Sequence, residues 1–157
     1  MNVLEYKVFE NPKGFDLNIV GVRTEAKAPN SFDDYICVFH RLNNQWGFHV
    51  FNATTDPGLY WLENPMVDLG TAILKPGQYR GLYRIGTHRG KYEALVQQKE
   101  VEVYRDRNKN NSLDTAAKTY KGIYGINIHR ASQSHTSVQV DKWSAGCQVI
   151  SDPTNFK

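Results

Sequence analysis

The chain has 157 residues, of which 40% are hydrophobic and 22% charged, and a formal net charge of +3. This length supports one domain with a continuous core and needs no metal or disulfide staple. A mean hydropathy of −0.56 and the lack of a long apolar run argue against a membrane-spanning helix. The basic residues are scattered, with only Arg105-Asp106-Arg107 approaching a patch, so the charge gives no footprint for nucleic acid.

The opening Met1-Asn2-Val3-Leu4-Glu5-Tyr6-Lys7 has no basic stretch leading into an apolar core, so the pattern of a secretory signal peptide is missing. Residues 17–22 read as a first strand and residues 27–31 as the loop after it. Two β-rich runs, residues 35–40 and 47–51, are joined through Asn43-Asn44, which tolerate left-handed backbone; this predicts a hairpin. Asp56-Pro57-Gly58 ends it, and residues 59–69 read as an irregular surface excursion of the kind that shapes a binding cleft. Residues 70–74, 81–85 and 95–104 supply further strands, with breaks at Pro76-Gly77 and His88-Arg89-Gly90. Helical periodicity is scarce, and no repeat, low-complexity stretch or linker divides the chain. The expected fold is mainly β with little helix, in a single domain over residues 1–157.

After the last of these strands, Asp106, Asn108, Asn110, Ser112 and Asp114 place oxygen side chains at alternate positions. A hard cation such as Ca²⁺ takes about six to eight oxygens, which alternate residues of a curled loop can supply. Against a structural Ca²⁺ site, Asn111 stands where glycine is usual, Ala117 stands where a bidentate glutamate would be, and only two carboxylates are present. A polar turn between strands is the preferred reading and Ca²⁺ the alternative. The chemistry proposed below requires no cofactor.

Residues 123–129 alternate apolar with small or polar side chains and read as a strand that ends at His129. Eighteen positions after that histidine, Trp143-Ser144-Ala145-Gly146-Cys147 brings a cysteine behind a glycine. A thiol is strongly nucleophilic only as thiolate, and a neighbouring imidazole can take its proton. A glycine at positive φ would let the backbone N–H groups of Gly146 and Cys147 converge beside the sulfur as an oxyanion hole. Cys37 lies in the β-like run Tyr35-Ile36-Cys37-Val38-Phe39 and reads as a small core side chain, so no disulfide is expected.

In these residues the chain resembles the L,D-transpeptidases of bacterial cell-wall synthesis, whose signature is a histidine ending a strand followed later by Ser-x-Gly-Cys. Leu74-Lys75-Pro76-Gly77-Gln78-Tyr79 is similar to that family's Thr-Pro-x-Gly-x-Phe segment, and residues 35–55 resemble its early hairpin. The resemblance spans roughly residues 17–152 by pattern. It departs at Arg130, where the family commonly has glycine, at Ala145 in place of histidine, and at Val149, where arginine or asparagine is usual. Ten residues follow Cys147, which reads as a truncated end.

The resemblance implies a β-sandwich or barrel and a Cys147 thioester formed on peptidoglycan stem peptides. His129 would be general base and acid, Gly146 and Cys147 the oxyanion donors, and the Arg130 main chain the group that orients the imidazole. The Arg130 side chain would alternatively meet a substrate carboxylate, and Ser144 would hold the loop or the incoming amine. Trp143, His88 and Tyr124 are candidate substrate-binding residues. The implied location is the cell envelope or periplasm, reached without a signal peptide by a phage or another secretion route or from a longer precursor. An amine acceptor gives cross-linking, and water gives a carboxypeptidase or amidase. The alternative from another class is an inactive binding or structural module of a phage particle or envelope assembly. Neither reading fixes an oligomeric state.

Overall fold

The hairpin forms as its turn chemistry predicts. In the computed structural model, β2 (Asp34–Leu42) and β3 (Gln45–Thr54) pair antiparallel from Asp34↔Ala53 to Leu42↔Gln45. Asn43 and Asn44 take φ of 50° and 63°, the two positive values that a tight I′ turn requires. The structure describes residues 4–14, 16–25, 30–116 and 118–156. The expected loop positions 27–29, the amino-terminal residues 1–3 and Ala117 lie outside the described residues.

β1 (Asn18–Val22) pairs with β2, and the remaining strands are β4 (Thr71–Leu74), β5 (Tyr83–His88), β6 (Tyr92–Gln97), β7 (Val101–Asp106), β8 (Tyr120–Gly122), β9 (Ile128–Arg130) and β10 (Gln148–Ile150). A seven-stranded sheet runs in the order β1-β2-β3-β10-β9-β6-β5, and a three-stranded sheet in the order β4-β7-β8. Strand accounts for 39% and helix for 7%, so the chain is mainly β, as expected. All pairings are antiparallel except β9 with β10. Two buried clusters form the core: Ala72, Leu82, Val101, Val103 and Ile126 in one, Ile36, Ala53, Ile128 and Ile150 in the other. Tyr83 packs against both and joins them.

Three expectations need correction. Residues 95–104 are not one strand: β6 and β7 belong to different sheets, and the chain turns between them at residues 98–100. The Gln98 N–H donates to the Leu82 carbonyl, and the Gln97 side-chain amide donates to the Lys99 carbonyl at 2.8 Å, fixing that corner. Residues 59–69 are not wholly irregular, because α1 (Leu59–Glu63) occupies their start and seals Leu62 completely. Residues 123–129 do not form a strand ending at His129. Gly125 takes φ +71°, and Gln97 Oε1 accepts the N–H groups of both Tyr124 and Ile126, drawing those amides away from a strand ladder. Pairing begins only at Ile128, so His129 is the middle residue of a three-residue strand.

Candidate active site

The parallel pair β9–β10 sets the positions of the histidine and the cysteine. Gln148 pairs with Ile128 and Val149 with His129, and the Gln148 N–H donates to the Asn127 carbonyl at 2.9 Å. Cys147 immediately precedes β10, two residues before the Val149 that pairs with His129, and no hydrogen bond joins it to His129 among the described residues.

His129 is buried and its tautomer follows from its partners. Nδ1 lies 2.8 Å from the Arg130 carbonyl, which can only accept, so the ring proton sits on Nδ1 and Nε2 keeps its lone pair. The Tyr92 hydroxyl, 3.3 Å from Nδ1, donates to the same carbonyl at 3.1 Å. His88, also buried, stacks on His129 with ring centroids 3.9 Å apart and planes inclined by 23°. The Asn127 side-chain amide approaches His88 Nδ1 at 3.2 Å. Burial, above all, pushes the His129 pKa down to about 4; positive charge on His88, Arg89 and Arg130 acts in the same direction, and the Arg130 carbonyl bond opposes it.

Cys147 is half-buried, and its thiol donates to the Gly125 carbonyl at 3.3 Å. Dense packing raises its pKa, against the opposing pull of the Asn127 backbone N–H and the Arg89 charge. Thiol and imidazole are therefore both displaced toward their neutral forms. Neither group is displaced toward the charged form that a preformed thiolate–imidazolium pair needs.

The loop before the cysteine is rigidly held. Ser144 is fully buried, donates from Oγ to the Cys147 carbonyl at 2.8 Å, and accepts from the Gly146 N–H at 3.2 Å. Its own carbonyl accepts from the Gly58 N–H at 2.8 Å. Gly146 takes φ +115°, and a Cβ there would collide with the Ala72 carbonyl, so glycine is required on both counts. Of the two expected oxyanion donors, the Gly146 N–H already points to Ser144, and only the Cys147 N–H has no partner among the described residues. Of the two roles expected of Ser144, its contacts match that of loop holder.

The other sequence candidates separate. The Arg130 guanidinium lies over the Tyr92 ring at 4.2 Å, which engages its side chain beside the histidine. Tyr124 and Ala145 line a cleft of about 210 Å³, which also contains Arg105. Trp143, 43% exposed, is not among the cleft's lining residues. A larger hollow of about 360 Å³ lies around Lys99, Glu100, Glu102 and Lys121 and includes neither cysteine nor histidine. Sequence reasoning missed Tyr92, Arg89 and Arg105. Arg105 was visible only as part of a small basic patch, because its place depends on its pairing with Ala72 across β4 and β7.

The candidate calcium loop connects β7 and β8. Asn108 Oδ1 accepts from the Asn110 N–H, Asn110 Oδ1 from the Ser112 N–H, and Asp106 Oδ2 from the Asp114 N–H, while the Asn108 amide donates to Asp114 at 2.8 Å. These bonds tie the loop into a turn, while Asp106 Oδ1 is buried without a hydrogen-bond partner. No group of three or more His, Cys, Asp or Glu residues is placed to hold a metal ion among the described residues, and no helix there is long and apolar enough to cross a membrane.

Comparison with protein-family models, with curated proteins and with solved structures finds no match to this chain. The functional reading accordingly rests on the geometry of Cys147 and His129.

Proposed function

We propose that the chain is a cysteine acyltransferase or hydrolase of the L,D-transpeptidase type, acting on peptidoglycan stem peptides at the cell envelope. The observation that supports this is the pinning of His129 Nδ1 to the Arg130 carbonyl, which leaves Nε2 as a base on a strand paired with the one that follows Cys147. In the reaction, the Cys147 sulfur attacks a peptide carbonyl and the thiol proton passes to His129 Nε2. The tetrahedral oxyanion meets the Cys147 N–H. Collapse breaks the C–N bond, the leaving amine takes the proton from Nε2, and a thioester remains. An acceptor amine then forms a new peptide bond, or water releases the acid, with His129 returning the proton to sulfur.

A second reading, an inactive binding or structural module, is favoured by two observations: the thiol is turned to the Gly125 carbonyl, and the Gly146 donor is occupied. Incubation of purified sacculi with the protein and with its Cys147→Ala variant, followed by mass spectrometry of the muropeptides, separates the two. New joined or shortened muropeptides with the unmodified protein alone support the enzyme. Identical products from both samples leave the module.

A further inference from the structure

Arg105 is the one charged side chain among the residues that line the 210 Å³ cleft beside the cysteine loop. It is delivered there by backbone. Arg105 on β7 pairs with Ala72 on β4, and the Ala72 carbonyl abuts Gly146, the residue before Cys147. The cleft is also lined by Trp61, Met66, Val67, Tyr124 and Ala145, so its walls are mostly apolar. Tyr124 immediately precedes Gly125, whose carbonyl receives the Cys147 thiol, and Ala145 lies two residues before the cysteine. The cleft therefore opens onto both segments that flank the sulfur.

The guanidinium is held but not neutralised. Nη1 donates to the Gly70 carbonyl at 3.0 Å, and the group stacks on the Tyr124 ring at 4.7 Å. No carboxylate pairs with it among the described residues, and its Nε is sealed from solvent without a hydrogen-bond partner. A rigidly mounted guanidinium whose Nη2 has no hydrogen-bond partner among the described residues, set in a mostly apolar cleft, matches a carboxylate in charge and offers it an N–H donor. The neighbouring hydroxyl, Thr71 Oγ1, is already committed to the Trp61 carbonyl. Arg130, the arginine expected from sequence to meet such a group, is engaged over Tyr92 instead.

We infer that the Arg105 cleft is a carboxylate-recognising subsite, which selects acyl-peptide substrates carrying a free carboxylate near the carbonyl presented to Cys147. This rests on the proposed acyl transfer for the identity of the ligand, but its test does not depend on turnover. In the Cys147→Ala protein, which cannot consume a probe, the affinity of an N-acetylated dipeptide with a free terminal carboxylate is compared with that of its primary amide by calorimetry. A charge-assisted contact makes the acid bind roughly ten- to a hundredfold more tightly than the amide at low salt. Added Arg105→Gln removes that preference, and Arg105→Lys, which keeps the charge but not the mounting on Gly70 and Tyr124, retains part of it. Equal affinity for acid and amide, no binding of either, or a preference that survives Arg105→Gln overturns the inference. Should Arg105→Gln fail to fold, the acid-to-amide ratio with Arg105 intact and the Arg105→Lys result decide alone: a ratio of one, or a ratio undiminished by lysine, overturns it. Turnover without carboxylate preference sinks the subsite alone, and carboxylate preference without turnover sinks the enzymatic reading alone.

Discussion

Replacing His129 by glutamine changes how stability responds to acid, and the structure gives the sign and the size. The histidine moves from an ordinary 6.5 to about 4 on folding, chiefly because burial disfavours the imidazolium. Within that window the unfolded chain holds more protons than the folded one, so stability rises with pH and is lost as pH falls from 6.5 toward 4. At about 1.36 kcal/mol per pH unit, the full loss is about 3 kcal/mol. Asp56 works the other way. Burial raises its carboxyl to about 6 despite Arg23 at 2.5 Å, so the folded state keeps that proton longer and gains stability as pH falls through the same range. The total curve therefore conceals the histidine, and the difference between the two proteins isolates it. Urea melts followed by circular dichroism from about pH 7 to about pH 4 should show His129→Gln gaining about 3 kcal/mol relative to the parent. Parallel stability curves would refute the claim that the imidazole is held neutral by its surroundings.

Because burial raises the Cys147 thiol from 9.0 and His129 is neutral, iodoacetamide labelling of Cys147 should accelerate only as the solution becomes alkaline. A fast plateau through neutral pH would mean a preformed ion pair and contradict the neutral resting state. Gly146→Ala should cost about 2 kcal/mol or more in thermal or urea denaturation, since alanine meets both φ +115° and the Ala72 carbonyl; a neutral substitution would show that the loop relaxes freely. Calcium should leave the melting temperature unchanged, because Asn108 Oδ1, Asn110 Oδ1 and Asp106 Oδ2 already accept backbone N–H groups of the loop. A clear rise in melting temperature would establish the cation site instead.

What could be read from sequence was what short-range chemistry decides. Asn43-Asn44 announced a hairpin because both residues tolerate positive φ, and Gly146 announced a bend before the cysteine for the same reason. His129 and Cys147 were legible as residue types at a workable spacing, whereas the turn of the thiol to the Gly125 carbonyl was not. The break between β6 and β7 was not, because alternation within residues 95–104 identifies a strand but not the sheet it joins. The brevity of β9 was hidden for a related reason: Gln97, some thirty positions away, captures the Tyr124 and Ile126 amides. The His88 stack on His129 and the delivery of Arg105 to the cleft likewise arise from strand pairings, β5–β6–β9 and β4–β7, that no local pattern encodes.

The most direct test of the central claim is intact-mass spectrometry of the protein after incubation with a stem-peptide donor or a carbapenem, with the modified residue mapped by proteolysis. A covalent acyl adduct on Cys147, absent from Cys147→Ala and strongly slowed in His129→Gln, is the predicted result. The contradictory result is an unmodified Cys147 under conditions in which iodoacetamide labels it, which would leave an accessible thiol without acyl-transfer chemistry.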